Sequence, residues 1–289
     1  MLFRSGLGNT TNYSSPKQVG ALTNWLQVAC GTYHICVVKT DGTLWTWGYN
    51  GQGALGLGNR TNYSSPKQVG ALTTWSKVAS SGYQTLAIKT DGTLWAWGYN
   101  NYGQLGLNNT TNYSSPIQVG ALTTWSKVSC GAQFTLAIKT NGTLWSWGRN
   151  NAGALGIGNL TNYSSPMQIG ALTTWSVIAG SNSNAALSIK TDGTLWGWGA
   201  NGAGELGLGN TNNYSSPKQI GALTNWSNVS NGFQSLAVKT DGTLWSWGDN
   251  QSGELGLGNT TNYSSPKQVG SSTTWGKIAA FNSASIALG

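Results

Sequence analysis

Charge is scarce in this chain. Among 289 residues there are 15 Lys or Arg, 7 Asp or Glu and a single histidine, His34. Acid–base catalysis needs positioned partners around a titratable group, and this inventory offers almost none. The carboxylates are Asp41, Asp91, Asp192, Asp241, Asp249, Glu205 and Glu254. No catalytic residue is assigned, and the protein is read as a non-enzyme. Cysteine is equally sparse: Cys30, Cys36 and Cys130 form no Cys-x-x-Cys pair, so neither a disulfide framework nor a zinc site is expected. No metal or cofactor is expected either. The longest apolar runs are strand-sized, which excludes a transmembrane helix and so predicts no membrane insertion. Met1-Leu2-Phe3-Arg4 runs straight into glycine and polar residues, without the apolar stretch of a secretory signal. The net charge of +8 comes from scattered cations rather than a run, which gives nucleic acid little to hold.

What the chain has in quantity is glycine, tryptophan and repetition. Hydrophobic residues make up 38%, enough for a core, so disorder is excluded. Tyr-Ser-Ser-Pro recurs with its proline at Pro16, Pro66, Pro116, Pro166, Pro217 and Pro266, spaced by 50, 50, 50, 51 and 49 residues. Nine residues after each proline stands a tryptophan: Trp25, Trp75, Trp125, Trp175, Trp226 and Trp275. Lys-Thr-Asp-Gly-Thr-Leu-Trp-x-Trp-Gly follows from Lys39, Lys89, Lys190 and Lys239, with Asn141 in place of Asp in the copy from Lys139.

Each unit reads as four short strands, exemplified by 17–19, 26–29, 34–39 and 43–47. Asp41-Gly42 sits between the third and fourth, a hairpin signal in which both turn residues are expected at positive φ. Trp45 and Trp47 lie two apart, on one face of a strand, and should pack on a neighbouring unit. Four-stranded units of about 50 residues have the size of propeller blades. The expected fold is therefore all-β: one domain over 1–289, a closed six-bladed β-propeller of four-stranded antiparallel blades. The blades fall at about 16–48, 66–98, 116–148, 166–199, 217–248 and 266–289, the last completed by an N-terminal strand at 2–6, where Leu2-Phe3-Arg4-Ser5-Gly6 lines up with Leu44–Gly48.

The phrases Val28-Ala29-Cys30-Gly31, Asp41-Gly42-Thr43-Leu44-Trp45-Thr46-Trp47-Gly48 and Gly53-Ala54-Leu55-Gly56 resemble the repeat of the regulator of chromosome condensation family. The resemblance is clearest at Gly103-Gln104-Leu105-Gly106 and extends over essentially the whole chain. It implies a propeller. For function it implies only a range, since that family includes a nucleotide-exchange factor that docks on chromatin, a plant UV-B photoreceptor and a secreted inhibitor of β-lactamases. Units of 49 to 51 residues leave no room for the exchange factor's protruding wedge, and no tryptophan here is followed by arginine as in the photoreceptor motif.

Function is better sought where near-identical copies differ. One variable segment lies between the second and third strands: Gly-Thr-Tyr-His (31–34), Ser-Gly-Tyr-Gln (81–84), Gly-Ala-Gln-Phe (131–134), Ser-Asn-Ser-Asn (181–184), Asn-Gly-Phe-Gln (231–234) and Phe-Asn-Ser (281–283). The other follows the fourth strand, at Tyr49, Tyr99 with Tyr102, Arg149, Ala200 and Asp249. In an up-and-down blade both leave from one face. Candidate binding residues are Tyr33, His34, Tyr49, Tyr83, Tyr99, Tyr102, Phe134, Arg149, Asn182, Phe233, Asp249 and Phe281. Drift in tolerant turns would produce the same pattern. Lys39, Lys89, Lys139, Lys190 and Lys239 form a second feature, a ring that reads either as an anion-binding crown or as strand-end protection.

Three readings are open. The first is a binding or structural module that presents its variable face to a protein partner, with a low-charge, amide-rich surface that leans toward an extracellular or virion setting. The second is a glycan-binding lectin, and the third an intracellular exchange-factor-like or chromatin-docking protein.

Overall fold

Alternating apolar residues in segments of five to seven, punctuated by glycine, favour strands over helices. The computed structural model describes residues 5–11, 13–21, 23–281 and 284–289, and among these there is no helix. Five four-stranded antiparallel sheets span Trp25–Gln68, Trp75–Gln118, Trp125–Gln168, Trp175–Gln219 and Trp226–Gln268, and a two-stranded sheet spans Lys277–Leu288. They are numbered here as blades one to six. In blade one the strands are Trp25–Cys30, His34–Lys39, Leu44–Gly48 and Tyr63–Gln68, each paired with the next. The first strands of consecutive blades lie side by side and form the inner layer. The fold is a β-propeller.

The sheets run out of phase with the blades expected from the repeat at 16–48 and onward. Tyr-Ser-Ser-Pro-Lys-Gln does not open a blade; it closes the preceding one, with Trp45 opposite Gln68, Thr46 opposite Lys67 and Gly48 opposite Tyr63. The loop between third and outer strands folds back because the buried Asn50 holds it. Its Nδ2 donates to the Asn59 carbonyl (3.0 Å), its Oδ1 accepts from Leu55 N–H (3.0 Å), and its own N–H reaches Asn62 Oδ1 (2.7 Å). As the outer edge of the sheet, this strand tolerates Pro66, which has no N–H to give.

The N-terminal closing strand expected at 2–6 falls for the most part outside the described residues. Residues 2–4 lie outside the described residues, and Ser5 and Gly6 are not in a strand. A Cβ on Gly6 would meet Trp47 Nε1 at 2.8 Å, just as one on Gly56 would meet Trp97 Nε1 at 2.7 Å. Gly8 N–H donates to the Ser64 carbonyl (2.9 Å) as Gly58 donates to that of Ser114 (2.8 Å). Gly6 therefore matches the loop glycine Gly56, not the strand-ending Gly48. The segment 13–18, a copy of the outer-strand sequence, is likewise not in a strand.

The Asp-Gly hairpin is also built differently. Only Gly42 has positive φ (76°), and its N–H donates to the Lys39 carbonyl (3.0 Å). Thr40 and Asp41 thus form the centre of a tight turn that ends in a left-handed glycine. Asp41 Oδ1 accepts from Thr43 N–H (2.9 Å) and Thr43 Oγ1 (2.6 Å), and Thr43 Oγ1 in turn accepts from Trp45 Nε1 (2.8 Å). The core lies between blades. Leu86, Ile88 and Leu94 of blade two pack with Trp125, Ala137 and Trp147 of blade three. Trp147 Nε1 donates to the Gln104 carbonyl (2.9 Å), and Trp97, Trp198 and Trp247 make the same bond to Ala54, Ala154 and Glu205.

Candidate binding face

Both variable segments come together on one face, joined by backbone hydrogen bonds. Tyr49 N–H donates to the Tyr33 carbonyl (2.8 Å), Tyr99 to Tyr83 (3.0 Å), Arg149 to Gln133 (2.8 Å), Ala200 to Asn184 (3.0 Å) and Asp249 to Phe233 (3.4 Å). Each pair is thus a local unit, and the residues within a pair vary together.

On blades one to three these pairs fuse into a continuous stripe of half-buried rings. The ring centroids of Tyr33 and Tyr49 are 6.1 Å apart, Tyr33 and Tyr83 5.7 Å, Tyr49 and Tyr83 5.9 Å, Tyr83 and Tyr99 6.5 Å, and Tyr99 and Tyr102 6.5 Å. Arg149 extends the stripe, its guanidinium carbon 4.9 Å from the Tyr102 ring centre and its Nη1 donating to Gln133 Oε1. Aromatic edges meet aromatic faces at every step but Tyr33–Tyr83, which is tilted at 42°, and these contacts hold the rings before any partner arrives. Gln133 belongs to the face although sequence reasoning did not select it. Its place in the variable turn, one residue before Phe134, was the available signal.

Two predicted residues are not on the face. His34 and Phe134 are buried, because they follow Tyr33 and Gln133 by one residue and a strand sends successive side chains to opposite sides. This position joins blades. His34 Nε2 lies 2.9 Å from Thr85 Oγ1 and 2.8 Å from Ser80 Oγ. Gln84 donates to the Gly131 carbonyl (2.6 Å), Gln234 to that of Ala284 (2.7 Å), and Phe134 packs with residues of blade four. Burial lowers the His34 pKa to about 4, so the imidazole is neutral.

The remaining candidates spread along the rim. Phe233 and Phe281 are exposed, and Asp249 is half-buried. Asn182 Oδ1 accepts from Ser81 Oγ (2.6 Å). Phe281 and Asn182 also line a central cavity of about 310 Å³, to which each blade contributes the end of its inner strand: Cys30, Ser81, Cys130, Gly180, Asn231 and Phe281. Its walls carry small, hydroxyl and amide side chains. Among the described residues no cluster of His, Cys, Asp or Glu could hold a metal ion.

The lysine ring is structural. Lys89 Nζ sits 5.0 Å from the Trp75 ring centre and 3.7 Å from that of Trp95, and Lys39, Lys139, Lys190 and Lys239 repeat the sandwich. Ammonium groups committed to indole faces are not presented to a ligand. The two glutamates are loop fasteners: Glu205 Oε2 accepts from Ala203 N–H (2.8 Å) and Glu254 Oε2 from Ser252 N–H (2.9 Å). Burial raises the Glu205 pKa, and the neighbouring Asp249 charge raises it further.

Comparison with known proteins agrees with this architecture. The family model described as RCC1-like domain matches residues 3–235, and that of the regulator of chromosome condensation (RCC1) repeat matches 241–288. The chain belongs to the RCC1-like family. Protein RCC2 of Mus musculus is 44% identical over 48 residues, 17% of this chain and 9% of that protein. The RCC1-like chain thus spans under a tenth of that relative's length. Among solved structures, human WBSCR16 superposes with a TM-score of 0.82 at 22% identity, covering 91% of this chain and 71% of that one. Prp20p from Saccharomyces cerevisiae gives 0.65 at 17% identity, covering 91% and 82%. At these identities the likeness is one of fold. No helix among the described residues is long and apolar enough to cross a membrane.

Proposed function

We propose that this RCC1-like propeller is a protein-docking module whose tyrosine–arginine stripe is the contact surface. The observation that carries the proposal is the unbroken path from Tyr33 through Tyr83 and Tyr102 to Arg149. Tyrosine and arginine are the residues that supply most energy at protein interfaces, and rings already held by neighbours lose little entropy on binding.

The intracellular docking reading is better supported than a surface or virion component or a lectin. Prp20p, which shares the fold, is described with its binding to Gsp1p and histones. The net charge of +8 disfavours basic histones as partners, so Gsp1p is the first probe. Exchange activity itself would need a group the regular repeats do not offer; docking needs only the face.

The test immobilises the chain and presents purified Gsp1p, core histones and a glycan array. The expected result is retention of a protein probe, weakened at least tenfold by Tyr83→Ala and by Arg149→Ala, with no glycan bound. Retention of neither protein, or retention untouched by both substitutions, overturns the reading; glycan binding lost with Tyr83→Ala assigns a lectin instead.

A further inference from the structure

The inner strands that surround the central cavity are tied to one another by side chains. Gln27 Nε2 donates to the Val78 carbonyl (3.2 Å) and Gln27 Oε1 accepts from Val78 N–H (3.2 Å). Ser129 Oγ accepts from Gly180 N–H (3.0 Å), and Ser230 Oγ from Ala280 N–H (2.9 Å). Ser81 Oγ of blade two reaches past blade three to donate to Asn182 Oδ1 of blade four (2.6 Å). These bonds oppose contraction of the ring, and about 310 Å³ remains at its centre. That is the lower end of the roughly 300 to 1,000 Å³ typical of small-molecule sites.

The lining has an apolar part and a polar part. Val128, Ile178 and Val229 form a wall, and Ser129, Ser230 and Asn231 stand beside it. None of the lining residues among those described is charged at neutral pH. Burial raises the pKa of the Cys30 and Cys130 thiols, so both stay protonated. A hydroxyl that accepts a backbone N–H keeps its own proton, which leaves Ser129 and Ser230 each a donor. Asn231 is 6% exposed; its Oδ1 accepts from Ser235 Oγ (3.1 Å), whereas its Nδ2 is buried with no hydrogen-bond partner. A buried amide left half-paired carries the full cost of its desolvation. The fold does not demand that amide, because the same place in the strand is taken by Cys30, Ser80, Cys130 and Gly180 in blades one to four.

We propose that the central cavity is a binding site for a small neutral carboxamide. The carbonyl of such a ligand accepts from Asn231 and from a serine hydroxyl, its N–H groups have hydroxyl oxygens to donate to, and its apolar body lies on Val128, Ile178 and Val229. A charged ligand would enter without a counter-charge, which burial penalises heavily. The site is separate from the tyrosine–arginine stripe and does not rest on it.

The test titrates the intact chain with benzamide and with benzoate, which has nearly the same shape and a full charge. NMR follows the Asn231 side-chain amide and the backbone amides of 129–130 and 230–231. Saturable shifts at these groups are expected with benzamide, and binding of benzoate at least tenfold weaker. Asn231→Leu keeps the side-chain volume and removes the amide, and should weaken benzamide at least tenfold. The comparison of the two ligands needs no variant, so misfolding of Asn231→Leu leaves the test intact. No saturable shift, shifts confined to the tyrosine face, or equal affinity for the two ligands overturns the proposal. Undiminished benzamide binding by a folded Asn231→Leu chain overturns it too.

Discussion

Across the junction of the first two blades, His34 places its Nε2 2.9 Å from Thr85 Oγ1, both residues fully enclosed. Burial lowers the His34 pKa to about 4, while in the unfolded chain it titrates near 6.5. Between those values the unfolded state takes up a proton that the folded state refuses, so stability falls as pH falls, by about 1.4 kcal/mol per pH unit and about 3 kcal/mol over the window. Glutamine occupies this position at Gln84 and Gln234 without titrating. Denaturant unfolding of His34→Gln should therefore lack the loss between pH 6.5 and 4 that the parent shows; parallel pH profiles would refute the assignment.

Lys89 stands between Trp75 and Trp95, with ring centres 5.0 and 3.7 Å from Nζ. Lys89→Met keeps the stem and removes the cation. Thermal unfolding should register a loss of about 0.5 to 2 kcal/mol, and Lys89→Ala a larger one, because the stem also packs. Phosphate titration of the parent should leave tryptophan emission unchanged, as befits a cation already committed to indoles. A phosphate-dependent change would restore the anion-crown reading.

The sequence carries the fold because one solution is written six times. Trp45 and Trp47, two residues apart, announce a strand face, and the recurrence of Pro16, Pro66 and their successors announces the blade. The phase of the blade was hidden, since it depends on which way the third-to-outer loop turns, and that is decided by the buried amide of Asn50. Within the site, the face was legible from variation alone. Its membership was not, because variation marks Tyr33 and His34 alike while the strand's two-residue period sends one outward and the other between blades. Contact between Tyr83 and Tyr33, 50 residues apart, is a property of the ring and not of either repeat.

The four hairpin aspartates give a second, separate acid response. The hydroxyls and N–H groups of Thr43, Thr93, Thr194 and Thr243 hold the carboxyls of Asp41, Asp91, Asp192 and Asp241 below the usual carboxylate range. A lowered folded pKa contributes stability that is present above the unfolded pKa of about 4 and lost as pH falls through the folded value. The third copy already uses Asn141, whose Oδ1 accepts from Thr143 N–H (3.1 Å) and Oγ1 (2.8 Å). Replacing all four aspartates with asparagine should therefore keep the fold but lower the melting temperature at pH 7, and flatten its decline below pH 4. An unchanged decline would place the acid sensitivity elsewhere.

Two glycines with nearly the same backbone separate conformational strain from collision. Gly92 has φ of 78° and Gly120 of 62°, both in the left-handed region. A Cβ on Gly120 would meet nothing within 4 Å, whereas one on Gly92 would lie 2.1 Å from the Thr123 carbonyl oxygen, on the segment that leads into the inner strand of blade three. Gly120→Ala should cost about 1 to 2 kcal/mol, the left-handed penalty alone. Gly92→Ala carries that penalty and must also push two blades apart at the hydrogen bond from Trp125 N–H to the Gly92 carbonyl (3.1 Å). Its unfolding midpoint should therefore drop well beyond that of Gly120→Ala. Equal midpoints would mean that the turn yields without disturbing the neighbouring strand, so that the hairpin glycine serves the turn and not the junction between blades.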